Sequence, residues 1–326
     1  MYSVLKGVGH YVPSRALTNQ QLEEMVDTND EWIVQRTGIR ERRIADEHTA
    51  TSDLALAAAR IALANSGVNP EDLDMIIVAT VTPDHAFPST ACLLQRELEA
   101  WNAAAFDLEA ACSGFLYALS VADQYIRAGT CKTVLLVAAD TLSKITDYTD
   151  RNTCILFGDG AGAAVVQGGK APGLLALEIG ADGRGSQLLV QPAGGSRNPA
   201  SLDTIEARQH FIQMAGREVF KFAVRKMEEA SLRVLTQAGL EAGDVDLLIP
   251  HQANLRIIDS AAKRIGISPD KVYINLDRYG NMSGASIPVA LSEAVSQGRI
   301  KNGDTVLLVG FGGGLTWGAA ILRWDK

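Results

Sequence analysis

The chain has 326 residues, more than one average domain, so two domains or one duplicated unit is expected. Hydrophobic residues make up 47% and charged residues 21%, the composition of a globular protein with a large core, and a formal net charge of −8 argues against nucleic acid or an anionic membrane as the main partner. No run approaches the ~18 apolar residues of a membrane span, the opening stretch Met1–Gly7 lacks the parts of an export signal, and the four cysteines lack metal-type spacing, so the expected home is the cytoplasm, with reduced thiols.

In chain order, the first strong element is a helix in which Leu54, Ala58, Ile61 and Ala62 recur at helical spacing. Gly67 stands where a left-handed cap would close it. A polar turn leads to the apolar run Met75–Thr80, suited to a central strand buried on both faces. Phe106–Leu108 reads as the end of another strand. Cys112 follows at the turn, and Phe115–Ala122 reads as a mostly apolar helix. Thr133–Val137 and Gly162–Val166 are further strand runs.

The pattern then returns. Ala62–Val78 aligns without a gap with Val234–Pro250, and Thr133–Val137 with Thr305–Val309, both 172 positions on. Cys112-Ser113-Gly114 lines up with Met282-Ser283-Gly284 at 170, and Gly162–Val166 with Gly318–Leu322 at 156. The first half therefore carries extra residues between Asp140 and Cys154. Repeated segments in one order indicate two homologous α/β halves, 1–172 and 173–326.

Cys112 is the candidate nucleophile. It lies between a strand and a helix start, where the helix dipole and free N–H groups favour a thiolate and can hold an oxyanion. The bland alternative is a small buried core residue, which is how Cys92, Cys131 and Cys154 read. His251 directly follows the strand Leu247–Pro250 and opens the polar patch His251-Gln252-Ala253-Asn254, at the strand end where α/β proteins place ligands. Asn281, in a Gly-flanked turn, occupies the place of the Cys112 turn in the repeat, and its amide can donate to an oxyanion. The run Gly310–Gly314 lacks the lysine and spacing of a phosphate loop. Close backbone approach to a substrate is the better reading.

Together, Ala111–Phe115, Pro250–Asn254, Tyr279–Asn281 and Gly310–Gly314 resemble the β-ketoacyl-acyl carrier protein synthase III family. These are the initiating condensing enzymes of bacterial type II fatty acid synthesis, in the thiolase superfamily. Asp30–Ile33, Arg36–Ile39 and Phe157–Gly162 also fit, so the likeness spans essentially the whole chain. It implies an α/β thiolase-like, five-layered αβαβα fold of two duplicated halves, a homodimer, and no cofactor or metal. It implies a triad of Cys112, His251 and Asn281, with an oxyanion hole from the N–H groups of Cys112 and Gly313. The implied partners are acyl-CoA, which acylates the cysteine, and malonyl-acyl carrier protein, which loses CO2 and attacks the acyl-cysteine. A secondary-metabolite condensing enzyme, a simple acyltransferase and a non-catalytic carrier-binding protein are the alternatives.

The same likeness assigns CoA contacts to Trp32, Arg36, Arg151, Gly216 and Asn254, and an acyl pocket to Phe87, Leu142 and Phe157. Phe87 would reach it across the dimer. Carrier-protein binding falls to Gln252, Arg256, Lys263 and Arg264. The last three share one helical face, a basic patch suited to an acidic carrier. Met282 departs from the family's usual small residue after the triad asparagine, which puts the local packing or the acyl pocket in question.

Overall fold

The structure, a computed structural model, describes residues 1–325. Two sheets organise it. The first, of five strands, runs in the order Tyr2–Tyr11, Asp159–Gly169, Thr133–Thr141, Met75–Ala79, Ala104–Leu108. The second, of four, runs Leu174–Ala181, Thr316–Arg323, Thr305–Gly312, Leu247–Pro250. A single parallel bridge from Val272 to Leu248 stands where the first sheet has its fifth strand.

The central strand pairs share one register. Met75 lies opposite Val134 and Leu247 opposite Val306. One device anchors each pair: Asp74 accepts from the Thr133 N–H at 2.9 Å, and Asp246 from the Thr305 N–H at 2.8 Å.

Period-2 alternation sorts these strands' side chains between layers. Ile77 and Leu136 of the first sheet, and Ile249 and Leu308 of the second, meet in one cluster with Phe115, Leu119, Ile287 and Leu291. Those last four belong to the helices Gly114–Arg127 and Ser286–Ser296, which lie between the sheets. Ile76, Val78, Leu135 and Val137 face outward onto Leu54, Ala58 and Leu94. Leu248, Leu307 and Val309 face outward onto Val224, Met227 and Ile257. The result is the five-layered αβαβα arrangement. Because both sheet faces are covered, the strands read as unbroken apolar runs.

The left-handed caps stand where expected, at Gly67 (φ 71°) and Gly239 (φ 68°). The alignment of Cys112 with Met282 is corrected. The turns Ala111–Ser113 and Ser283–Ala285 precede the two central helices, and each opens on a left-handed residue, Ala111 (φ 47°) and Ser283 (φ 51°). The offset is thus 172 here as in the flanking strands, and Gly284 is the counterpart of Cys112. The shared Ser-Gly dipeptide misled the alignment by two positions.

Loops and short helices roof the strand ends. Arg42, wholly buried, ties them together by donating to Leu17 O at 3.0 Å, Asn19 Oδ1 at 2.8 Å and Ile155 O at 2.9 Å. Three hydrogen bonds to neutral acceptors compensate part of its desolvation. Burial still lowers its pKa to about 10.

Candidate active site

The Cys112 turn is built from both halves. The Glu109 carboxylate accepts the Ala111 N–H at 2.9 Å as the chain leaves its strand. The strand Thr305–Gly312 closes over the turn, and a methyl on Gly312 would lie 2.5 Å from Cys112 N, inside any allowed contact. A methyl on Gly310 would lie 3.6 Å from both Cys112 O and His251 Cβ, so this residue sits between nucleophile and histidine. The glycine run therefore permits close approach, but of the chain to itself at Gly310 and Gly312. Gly313 lies beside Ala111, whose Cβ a methyl there would meet at 3.5 Å.

Cys112 is 7% exposed. Burial pushes its thiol up to about 12, a hydrogen bond from Ser283 opposes this, and the charge of Asp140 adds to it. Burial thus opposes the thiolate that the helix start favours.

His251 is 1% exposed, and its N–H donates to Val309 O at 2.8 Å. Its ring stands edge-on to Phe311 with centroids 5.4 Å apart. Among the described residues neither ring nitrogen has a hydrogen-bond partner. Burial lowers its pKa to about 3, so the imidazole is neutral and offers one N–H. Asn281 is tied to the roof, donating from N to Leu156 O at 2.8 Å and accepting from Gly158 N at 2.9 Å. Its Oδ1 accepts the Ser283 N–H at 2.9 Å. That bond fixes the amide orientation and leaves the NH2 as donor.

Cys112, His251 and Asn281 line one cleft of about 740 Å³. Phe157, whose backbone bridges that of Asn281, lines it too, as do Gly216, Asn254, the half-buried Trp32 and the exposed Arg36 and Arg256. Asn254 caps the helix Leu255–Ile265 and donates to Arg36 O at 3.0 Å. Arg151 lies outside the lining, yet its guanidinium sits 4.9 Å from the Trp32 ring centroid, with that of Arg36 at 5.2 Å. Leu142 is buried behind Phe157 in a small cluster with Ile212. Phe87 is 86% exposed and away from the cleft. Met282 faces away too, packed with Tyr279, Ala285 and Val289 and backed against Gly160.

Of the carrier-protein residues, Arg256, Lys263 and Arg264 are exposed on their helix, and Arg264 pairs with Glu228 at 3.0 Å. Gln252 is corrected. It is wholly buried, and its side chain bonds Pro250 O, Tyr273 O and Asn275 N, so it is a brace beneath the site and no docking residue. Sequence reasoning missed Arg217 and Lys221, which join the cleft lining beside Gly216. The sequence signal for them is slight: Arg217 is a cation in the first turn of the helix Gly216–Ala238, where the dipole favours its neighbour Glu218 instead.

Two family models match, both described as 3-oxoacyl-[acyl-carrier-protein] synthase III: one over residues 106–183, which hold Cys112, and its C-terminal counterpart over 235–324, which hold His251 and Asn281. The β-ketoacyl-[acyl-carrier-protein] synthase III of Natranaerobius thermophilus is 58% identical over 320 residues, 97% of each chain. This chain belongs to the β-ketoacyl-acyl carrier protein synthase III family. Two solved structures of synthase III enzymes superpose along its full length. That from Aquifex aeolicus has TM-score 0.91 and 48% identity, covering 99% of this chain and 100% of that one. That from Pseudomonas aeruginosa has TM-score 0.92 and 41% identity, covering 100% and 99%.

Proposed function

We propose that the protein catalyses decarboxylative Claisen condensation of a short acyl-CoA with malonyl-acyl carrier protein. The products are 3-oxoacyl-acyl carrier protein, CO2 and CoA. The observation that carries this is His251, a buried neutral imidazole with both ring nitrogens unpartnered, beside an asparagine amide whose oxygen is already taken. Such a pair is made to donate to a developing oxyanion. Cys112 attacks the acyl thioester and CoA leaves, with the N–H groups of Cys112 and Gly313 holding the tetrahedral oxygen. Malonyl-acyl carrier protein then loses CO2. His251 and Asn281 donate to the enolate oxygen, and the carbanion displaces Cys112 from the acyl carbon. Decarboxylation itself creates the carbanion, so the step needs no strong base and the reaction balances without a cofactor.

The remaining assignments follow the cleft outward. Trp32 and Arg151 hold the adenine and Arg36 a phosphate, while Gly216 and Asn254 flank the pantetheine arm. Phe157 and Leu142 bound the acyl pocket, which Phe87 of a second copy closes in a homodimer. Arg256, Lys263 and Arg264, now with Arg217 and Lys221, attract the acidic carrier on a chain of net charge −8. The halves are 1–172 and 173–326. Among the described residues no helix is long and apolar enough to cross a membrane, and a cytoplasmic location suits the carrier-bound substrate.

Incubation with radiolabelled acetyl-CoA tests the first half-reaction. Label is expected on Cys112, and malonyl-acyl carrier protein should then discharge it into a 3-oxoacyl carrier. Absence of label from Cys112 sinks the nucleophile assignment; discharge without CO2 release sinks condensation in favour of simple transfer.

A further inference from the structure

The two halves differ most beside the cleft. Residues 142–158 join the strands Thr133–Thr141 and Asp159–Gly169, where the other half has the short turn Gly313–Leu315. That connection carries Leu142, Arg151 and Phe157. A second excursion, residues 191–212, runs out and back between the short paired strands Leu189–Val190 and Gln213–Met214. Leu189 and Met214 line the cleft, and Ile212 packs with Leu142 and Phe157. The excursion is fastened to the connection. Ile212 N donates to Ile145 O at 2.9 Å, and the Arg208 guanidinium forks onto the Asp147 carboxylate, Nε to Oδ2 at 2.7 Å and Nη2 to Oδ1.

Exposed ion pairs contribute little as a rule, because two side chains must be ordered for a screened attraction. Here both partners are ordered by other contacts. The Asp147 side chain is 13% exposed, and its Oδ1 also accepts from Thr149 N at 2.8 Å and Thr149 Oγ1 at 2.7 Å. The Arg208 guanidinium lies 4.9 Å from the Phe211 ring centroid. Its backbone, just past the helix Leu202–Glu206, sits at φ 57°, in the left-handed region that favours glycine. An arginine kept in that conformation marks a position where the side chain is used. The fork also matches guanidinium to carboxylate in a way that a lysine cannot. Beyond Asp147 the chain turns at once towards the Trp32 ring. Asp150 N donates to Asp147 O at 3.1 Å, and Arg151, its guanidinium against that ring, donates from Nη1 to Asp27 O at 2.8 Å.

We propose that Arg208 and Asp147 are positioning residues for acyl-CoA. Their ion pair fastens residues 191–212 to residues 142–158, and one contact thereby sets both the Ile212 side of the acyl pocket and the Arg151 side of the adenine site. Neither side chain lines the cleft, so both act through Ile212 and Arg151. The inference rests on the acyl-CoA reading above.

Asp147→Asn keeps an acceptor for Thr149 and loses the carboxylate, while Arg208→Gln removes the fork from the other side. Acylation of Cys112 by acetyl-CoA and by hexanoyl-CoA is measured against concentration, and hydrogen–deuterium exchange of the substrate-free chain is read by mass spectrometry. Each variant is expected to raise the half-saturating acetyl-CoA concentration roughly 10-fold at an unchanged limiting rate, since a charge-assisted bond is lost and the Cys112 turn is untouched. Hexanoyl-CoA should gain on acetyl-CoA, because a released Ile212 gives the longer chain room. The double variant should behave as either single one, and exchange should quicken in residues 191–212 and 146–152 together. Variants that bind acetyl-CoA as the wild type does overturn the positioning role. So does a limiting rate that falls while half-saturation stays put, the mark of lost folded enzyme, and so does exchange that quickens in one segment alone. If both segments quicken in the variants while even the wild type never takes an acyl group from acetyl-CoA, the fastening stands and the acyl-CoA reading falls.

Discussion

Neutral donors are suited to one step and not the other. His251 offers an N–H at any pH well above about 3, and Asn281 offers an amide whose orientation Ser283 N fixes. In the proposed mechanism both stabilise an enolate oxygen, whereas acylation leans on backbone N–H groups at the Cys112 turn. Asn281→Ala should therefore still form the acyl-enzyme from acetyl-CoA but lose about 10²- to 10³-fold in condensation, the usual cost of removing one oxyanion donor. Trapped acyl-enzyme on denaturing mass spectrometry and release of CO2 from labelled malonyl carrier separate the steps. Retained condensation would refute the assignment of Asn281. At this scale the sequence pointed to Cys112, His251 and Asn281, because each stands at a strand end or turn, and the structure sets all three on one cleft. It was uninformative about protonation. Burial decides that the thiol and imidazole rest neutral, and burial is a property of the assembled cleft. Gln252 shows the same gap: a polar residue in a polar patch, spent on the backbone of Pro250 and, from a distant segment, of Tyr273 and Asn275.

The helix Ser286–Ser296 connects the site to a buried polar brace. Glu293, 6% exposed on an otherwise apolar helix, accepts from Tyr279 OH at 2.6 Å, Asn275 Nδ2 at 2.8 Å and Arg278 Nη2 at 3.0 Å. Tyr279 lies two residues before Asn281, and Asn275 N is held by Gln252 next to His251. One carboxylate thus braces the segments that carry both donors. Burial raises its pKa, but bonds from Tyr279, Asn275 and Arg278 outweigh this and leave it below its ordinary 4.5. A carboxyl depressed in the folded state stabilises above its unfolded value and loses that contribution as pH falls through the folded one. Glu293→Gln should unfold about 1–3 kcal/mol more easily in urea at neutral pH, with the gap to wild type closing as pH drops below 4.5. A gap that does not change with pH would show that the charge is not what stabilises the brace. No periodic pattern reveals this role, since a single Glu in an apolar helix reads as a solvated position until its partners, 14 to 18 residues upstream, fold beneath it.

Across the whole molecule, the repeat made the architecture legible and the layering did not. Runs such as Met75–Ala79 and Thr305–Val309 are apolar at every position, so the alternation that sends Ile77 and Ile76 to different layers is hidden until two layers cover the sheet. The cleft was equally hidden, because Trp32, Gly216 and Phe220 reach it from segments that share no local signal with Cys112. The layering has a physical consequence. Phe115 and Leu119 of one half interlock with Ile287 and Leu291 of the other, between the inner faces of both sheets, in a single cluster. A half cut at residue 172 would expose that entire face to water, at roughly 25 cal/mol per Å² of apolar surface, against a total stability of only about 5–15 kcal/mol. The halves should therefore not fold apart. Calorimetry of the intact chain should give one transition with matching calorimetric and van't Hoff enthalpies for the folding unit, and fragments 1–172 and 173–326 made separately should lack the near-ultraviolet circular dichroism of packed aromatic residues. Two resolved transitions, or a fragment with native-like tertiary signal, would mean that each sheet with its outer helices is stable alone and that the central layer is an interface between domains.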